Sequence, residues 1–229
     1  MSSSDAVGAR FRVLHVCTGN ICRSPIAERL MRTGLVRRLG PEVLDRVVVE
    51  SAGTWGHTGS PMERFALATL AEIGVHGDDF CARELTAAMA AAADLILGAT
   101  REHRAAVLTL HPGAARRTFT LPEFGRLSRV VDPAHLPPGD DVVARARALV
   151  AAAAGARGSV PPVPAALDDV GDPYGAPQAL FRDAAALIAD ALSGPLDLLA
   201  GARGSRAPGA RQQRSDARGE PTRPETAIE

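Results

Sequence analysis

A run of ten residues, Val16-Cys17-Thr18-Gly19-Asn20-Ile21-Cys22-Arg23-Ser24-Pro25, constrains this chain more than any other feature, because its flanks require it to link a strand to a helix. Before it, Phe11-Arg12-Val13-Leu14-His15-Val16 is a short β-rich run; after it, Ile26, Leu30 and Gly34 repeat at helical spacing beside Ala27, Met31 and Leu35. Pro25 suits the first helical position, where a missing N–H costs nothing, and so places the helix start at Ser24-Pro25. A loop that ends at a helix start offers unpaired N–H groups and the positive end of the helix dipole, which together favour an anion such as phosphate. Gly19 and Asn20 allow successive N–H groups to converge, since these residue types adopt left-handed backbone angles most cheaply.

A cysteine at the strand end of such a loop feels the N–H groups, the dipole and Arg23, all of which favour thiolate over thiol. Cys17 is therefore the candidate nucleophile. The planar guanidinium of Arg23 can grip two phosphate oxygens and favour the more highly charged transition state. Ser24 can direct its hydroxyl at the sulfur, and Thr18 and Ile21 project from the loop. The chain has no Lys and all 26 of its basic residues are Arg, so Cys-x5-Arg alone carries little information. The whole run CTGNICRSP, seated between strand and helix, carries much more, and it resembles the signature of the low-molecular-weight protein tyrosine phosphatases.

That resemblance implies further residues. The family uses a downstream Asp-Pro pair whose carboxylic acid protonates the leaving phenolate, and Gly171-Asp172-Pro173-Tyr174-Gly175 matches it. Asp172 is the expected general acid; Asp132-Pro133 ranks below it because no aromatic follows. Tyr174, the one tyrosine, and Trp55, the one tryptophan, in a Ser51-Ala52-Gly53-Thr54 loop of family type, are expected to wall the slot for a phenyl ring, with Ile21 as its floor and Thr18 as its side. Cys22 corresponds to a neighbour of the nucleophile, with which a reversible disulfide would protect the thiolate. Phe80 stands where the family often has a His that braces the loop, so that bracing has to come from Asn20 and Ser24.

The implied reaction is hydrolysis of phosphotyrosine in two displacements through a cysteinyl-phosphate, with no metal and no cofactor. Its partners would be tyrosine-phosphorylated proteins, with a bacterial tyrosine kinase suggested by family analogy. Two alternatives are an arsenate reductase using an external thiol and a non-catalytic phosphoprotein-binding module. For the first, a thiol relay within the chain is disfavoured because Cys81 is the sole thiol outside the loop, which leaves the version using an external thiol; the second is weakened because Cys17, Arg23 and Asp172 are all present.

The rest of the chain reads as α/β, an open four-stranded parallel sheet flanked by helices. Strands are expected at Val47-Val48-Val49, Leu95-Ile96-Leu97 and Arg117 to Leu121, and helices at Met62 to Ile73, after Thr86 and after Thr100 as caps. A last helix should run from Pro177 to about Leu192, with Leu180, Ala184, Leu187, Ile188 and Ala191 on one face. Residues 1–200 form the expected catalytic domain, with an insertion at about 128–167 that could flank the site and carry one exposed helix over Val142 to Ala154. Residues 201–229, poor in large apolar side chains, read as a disordered tail. Zero formal charge argues against a nucleic-acid partner, and the absence of a long apolar run or signal-peptide core predicts no membrane association and a cytoplasmic location. His15, His57, His76, His103, His111 and His135 show no metal-ligand spacing and are expected to be surface or capping residues.

Overall fold

A computed structural model describes residues 10–201 of the chain. In chain order the elements are β1 (Phe11–Cys17), α1 (Arg23–Leu39), α2 (Val43–Arg46), β2 (Val47–Gly53), α3 (Arg64–Glu72), α4 (Ala87–Ala92), β3 (Leu95–Gly98), α5 (Arg101–Leu110), β4 (Thr118–Thr120), α6 (Leu121–Ser128), α7 (Val142–Ala156) and α8 (Gln178–Ala200). The four strands pair in the order β2-β1-β3-β4, all parallel, as expected from the alternation of strand and helix signals. Cys17 pairs with Gly53, Val16 with Gly98, and Gly98 with Thr120, so the carboxyl ends of all four strands meet along one edge. The strand order reverses at β1, and it is outside this switch point that open parallel sheets bind ligands.

Both faces of the sheet are covered, which is why its strands are apolar on alternate and on adjacent positions alike. Phe11, Val13 and Cys17 face a large layer built on α1, α3, α6, α7 and α8, while Leu14 and Val16 face a smaller one with Ala90 of α4 and Val107 of α5. Thr86 caps α4 through Met89 N–H, and Thr100 caps α5 in a reciprocal box with His103, as the sequence predicts.

The last helix departs from expectation. It continues past Pro195 to Ala200, and Leu180 and Leu187 are exposed, the buried face being Phe181, Ala184, Ala185, Ile188, Ala191, Leu192, Leu196 and Leu199. Tertiary burial overrides the local penalty of the proline here: Pro195, Leu196 and Leu199 are all buried, and buried Arg145 donates to the carbonyl of Leu198. At Gly125 of α6 the packing is backbone to backbone, since an added Cβ would lie 2.6 Å from the carbonyl oxygen of Ala191.

The expected insertion is also placed differently from its reading. Its helix α7 is not exposed, because Val142, Val143, Arg145, Ala146, Leu149, Val150 and Ala153 are buried. Nor does α7 flank the carboxyl edge. Arg147 reaches the carbonyl of Arg10 before β1 and the carboxylate of Asp94 before β3, Asp141 faces Arg46 before β2, and Arg157 donates to Thr118 at the start of β4. Helix α7 thus spans the amino ends of the strands, opposite the loop. The 201–229 tail lies outside the described residues except for Gly201.

Replacing Gly125 by Ala should force α6 and α8 apart and lower stability by about 1–3 kcal/mol, read as a fall in denaturation midpoint. An unchanged midpoint would show that the two helices are free to shift.

Candidate active site

The cysteine loop is held by its carbonyl groups. Thr54 N–H donates to the carbonyl of Cys17 at 2.8 Å, Trp55 to Thr18 at 3.0 Å, His57 to Gly19 at 3.0 Å and Glu63 to Ile21 at 2.8 Å. With these oxygens turned outward, the N–H groups of the same stretch are left for the inside of the loop. Asn20 supplies the left-handed turn, with φ of 55°. Helix α1 begins at Arg23, so Pro25 is its third residue, and Ile26 N–H makes a bond to the carbonyl of Cys22 at 3.1 Å. Gly53 must be a glycine, since a Cβ there would strike the carbonyl of Thr18.

Below the loop lies a buried polar chain whose direction can be derived. Arg83 N–H, which can only donate, bonds Asn20 Oδ1 at 2.9 Å and so fixes the amide orientation. Asn20 Nδ2 then donates to Ser24 Oγ and Ser51 Oγ, each at 2.9 Å. The Ser24 hydroxyl proton is left for Cys17 Sγ, 2.9 Å away, its other partner among the described residues. Ser51 donates onward to Glu28 at 2.7 Å, and Arg83 Nε bonds the carbonyl of Ser51 at 2.8 Å. Bracing of the loop is therefore wider than Asn20 and Ser24 alone. Ser51, Arg83 and Glu28 share it, although no local sequence signal gives them that bracing role.

Arg23 is 5 % exposed and is oriented by three contacts. Its Nη1 donates to the carbonyl of Val170 at 3.2 Å, and its Nη2 pairs with Asp172 at 2.6 Å and lies 3.5 Å from Thr18 Oγ1. Val170 is delivered by its own N–H bond to the carbonyl of Ala99 at the end of β3. Asp172 also accepts from Tyr174 N–H at 3.1 Å, in a tight turn that ends at Gly175 with φ of 76°.

Cys17, Thr18, Gly19, Ile21, Cys22, Arg23, His57, Asp172 and Tyr174 line one cleft. Asn20 and Ser24 sit buried behind it. Trp55 does not line it. Its side chain is 79 % exposed, and His57, two residues on, stands against Gly19 instead. Gly56 packs against the backbone of Arg83 and turns the chain between them, a contact that sequence spacing does not reveal. His103, expected to be a surface or capping residue, is buried and does cap α5, but its Nε2 also lies 2.9 Å from Thr18 Oγ1. His15 is not at the surface either; it is buried on β1, and neither ring nitrogen has a hydrogen-bond partner among the described residues.

Cys22 is no second nucleophile. Burial pushes its thiol up to about 12, with help from Cys17, Glu63 and Asp172 and opposition from Arg23. Cys17, Cys22 and Cys81 are all free thiols. An anion-binding loop at a parallel sheet's switch point, holding a cysteine, an arginine and a facing carboxylate, defines a phosphate-handling cysteine site.

Comparison with known proteins agrees. The family model for low molecular weight phosphotyrosine protein phosphatase matches residues 12–150, and the chain belongs to that family. It is 38% identical over 121 residues to the low molecular weight protein-tyrosine-phosphatase Etp of Escherichia coli, covering 53% of this chain and 76% of that one. The low molecular weight protein tyrosine phosphatase from T. tengcongensis superposes with a TM-score of 0.58 at 25% identity, over 81% of this chain and 97% of that one. The YwlE arginine phosphatase from Geobacillus stearothermophilus shares the fold, with a TM-score of 0.57 at 24% identity, over 81% of this chain and 90% of that one.

The buried histidines predict an acid-sensitive fold. Burial lowers His15 to about 3, and burial followed by the charge of Arg23 lowers His103 to about 4, against 6.5 for an ordinary histidine. As pH falls below 6.5 the unfolded chain takes up protons that the folded protein refuses, so stability should decline down to about pH 4 for His103 and about pH 3 for His15. Glu28, raised by burial, acts with the opposite sign by taking up its proton first in the folded state. Denaturant midpoints across this range should fall with acidification, and less steeply in His15→Leu; a flat profile would contradict the burial.

Proposed function

We propose that this protein hydrolyses phosphotyrosine in proteins, with Cys17 as nucleophile, Arg23 as phosphate ligand and Asp172 as general acid and base. The observation that carries this reading is the meeting of Arg23 and Asp172 at 2.6 Å across 149 residues of sequence, in the cleft that Cys17 lines. In the first displacement the Cys17 thiolate attacks phosphorus, the bond from phosphorus to the phenolic oxygen breaks, and Asp172 gives that oxygen a proton. In the second, water attacks the cysteinyl-phosphate, Asp172 takes its proton, and the thiolate leaves with the Ser24 hydroxyl directed at it.

The Asp172 carboxylate pairs with the Arg23 guanidinium. A bound phosphoryl group competes for those N–H groups and releases the Asp172 side chain toward the leaving oxygen. Asp172 is half exposed and can make that move, whereas Arg23 is buried and stays. Cys17 is buried, so phosphorus has to travel down a slot bordered by Tyr174, His57 and Ile21. An aryl phosphate spans that depth, while phosphoserine and phosphothreonine are too short.

A thiol relay within the chain for arsenate reduction is disfavoured because Cys81, the thiol outside the loop, does not line the cleft, and the version using an external thiol is not favoured because the matching family and relatives are tyrosine phosphatases. A non-catalytic module is disfavoured by the retention of all three groups. The physiological substrates we propose are tyrosine-phosphorylated proteins of the cytoplasm, a tyrosine kinase among them; no helix among the described residues is long and apolar enough to cross a membrane.

The test is hydrolysis of matched phosphotyrosine, phosphoserine and phosphoarginine peptides without added metal. Phosphotyrosine should be turned over selectively, Cys17→Ser should abolish turnover, and Asp172→Asn should lower kcat about 100-fold or more. Equal turnover of phosphoarginine would overturn the proposed specificity, and activity in Cys17→Ser would overturn the mechanism.

A further inference from the structure

One hydrogen bond between a side chain of the cleft, Thr18, and a buried one behind it, His103, is not used by the mechanism above. His103, at the start of α5, touches Thr18 of the cysteine loop from a distance of 85 residues in sequence, with Nε2 to Oγ1 at 2.9 Å. The direction of this bond follows from the other side of the ring. Thr100 N–H, which can only donate, bonds His103 Nδ1 at 3.1 Å. Nδ1 is therefore an acceptor, the ring proton sits on Nε2, and Nε2–H donates to Thr18. The buried ring stays in this neutral form, since burial and Arg23 hold it near 4.

Thr18 Oγ1 thus accepts from His103, and the other group near it among the described residues, Arg23 Nη2 at 3.5 Å, is also a donor. Neither can take the Thr18 hydroxyl proton. Thr18 lines the cleft and is exposed to it, so that proton is directed at whatever acceptor the cleft holds. The position is defined by Arg23 Nη2, which contacts both Thr18 and Asp172 and so sets the hydroxyl on the side of the cleft where Asp172 stands.

We propose that the Thr18 hydroxyl is a hydrogen-bond donor to an oxygen of the bound phosphoryl ester, and that His103 is the positioning residue that sets its direction. The proposal rests on the phosphatase reading and adds to it a side-chain donor beside the loop N–H groups and Arg23. A charge-assisted bond of this kind is stronger than one between neutral groups, and a donor already aimed needs no reorganisation as the reaction proceeds. The capping box at α5 therefore has two roles, since the contact that starts the helix also decides which ring nitrogen carries the proton.

The experiment separates the cap from the donor. Glu and Gln both preserve a capping box at this position, but only Gln also keeps an N–H that can reach Thr18. His103→Glu should lower kcat/KM for a phosphotyrosine peptide and weaken inhibition by inorganic phosphate, each by about tenfold, and His103→Gln should restore most of the loss. In a Thr18→Val background, His103→Glu should change both quantities by less than about threefold, because the hydroxyl it misdirects is gone. Equal effects of Glu and Gln, or the same effect of His103→Glu in both backgrounds, would overturn the proposal. Nitrogen-15 spectra of the unsubstituted protein give a test that needs no variant: they should show His103 protonated on Nε2 and unprotonated on Nδ1 at neutral pH, and the reverse would overturn it. Absence of phosphotyrosine turnover in the unsubstituted protein would instead remove the phosphatase reading on its own.

Discussion

An anion-binding loop works only while its carbonyl oxygens are kept out of it, and the rest of this site depends on how that is done. The loop does not achieve it alone. The segment from Thr54 to Glu63, following β2, takes the carbonyls of Cys17, Thr18, Gly19 and Ile21 with its own N–H groups. Parallel pairing of Cys17 with Gly53 brings the two segments together, and the missing side chain of Gly53 allows the approach. The sheet is thus part of the site, because its register decides which N–H meets which carbonyl.

A second regularity concerns protons. At two places a backbone N–H, whose polarity is not negotiable, fixes a side chain that could face either way, and that side chain fixes a hydroxyl. Arg83 N–H orients Asn20, which directs Ser24 at the sulfur; Thr100 N–H orients His103, which directs Thr18 into the cleft. Buried polar groups of this kind are costly unless satisfied, and the chain from Cys17 to Glu28 satisfies each member in turn. The result is preorganisation by groups such as Arg83 and His103 that do not line the cleft.

The segment expected to be an insertion shows how composition can mislead about location. Its Ala and Arg residues suggested an exposed helix, yet α7 buries its apolar side, Arg145 donates to carbonyls of Pro137 and Leu198, and Arg147 and Arg157, the latter just past the helix, reach a carboxylate and carbonyls at the amino ends of the sheet. Arg157 also stacks 4.0 Å over the ring of Phe119. Long arginine stems cover apolar surface while their heads find oxygen, so an Arg-rich helix need not be a solvated one.

What the sequence determined by itself was local. From Phe11 to Leu35 the strand, the loop, the helix, the thiol and the arginine are contiguous, so short-range physics was enough to read them, and the caps Thr86 and Thr100 were legible for the same reason. Asp172 was legible by resemblance, but its pairing with Arg23 was not. Tertiary structure alone decided that His57 rather than Trp55 faces the cleft, that Ser51, Arg83 and His103 brace the loop, and that α8 runs on through Pro195. In each case the deciding contact joins residues far apart in the chain, and their distance in space is set by sheet register and helix packing, which no local pattern encodes.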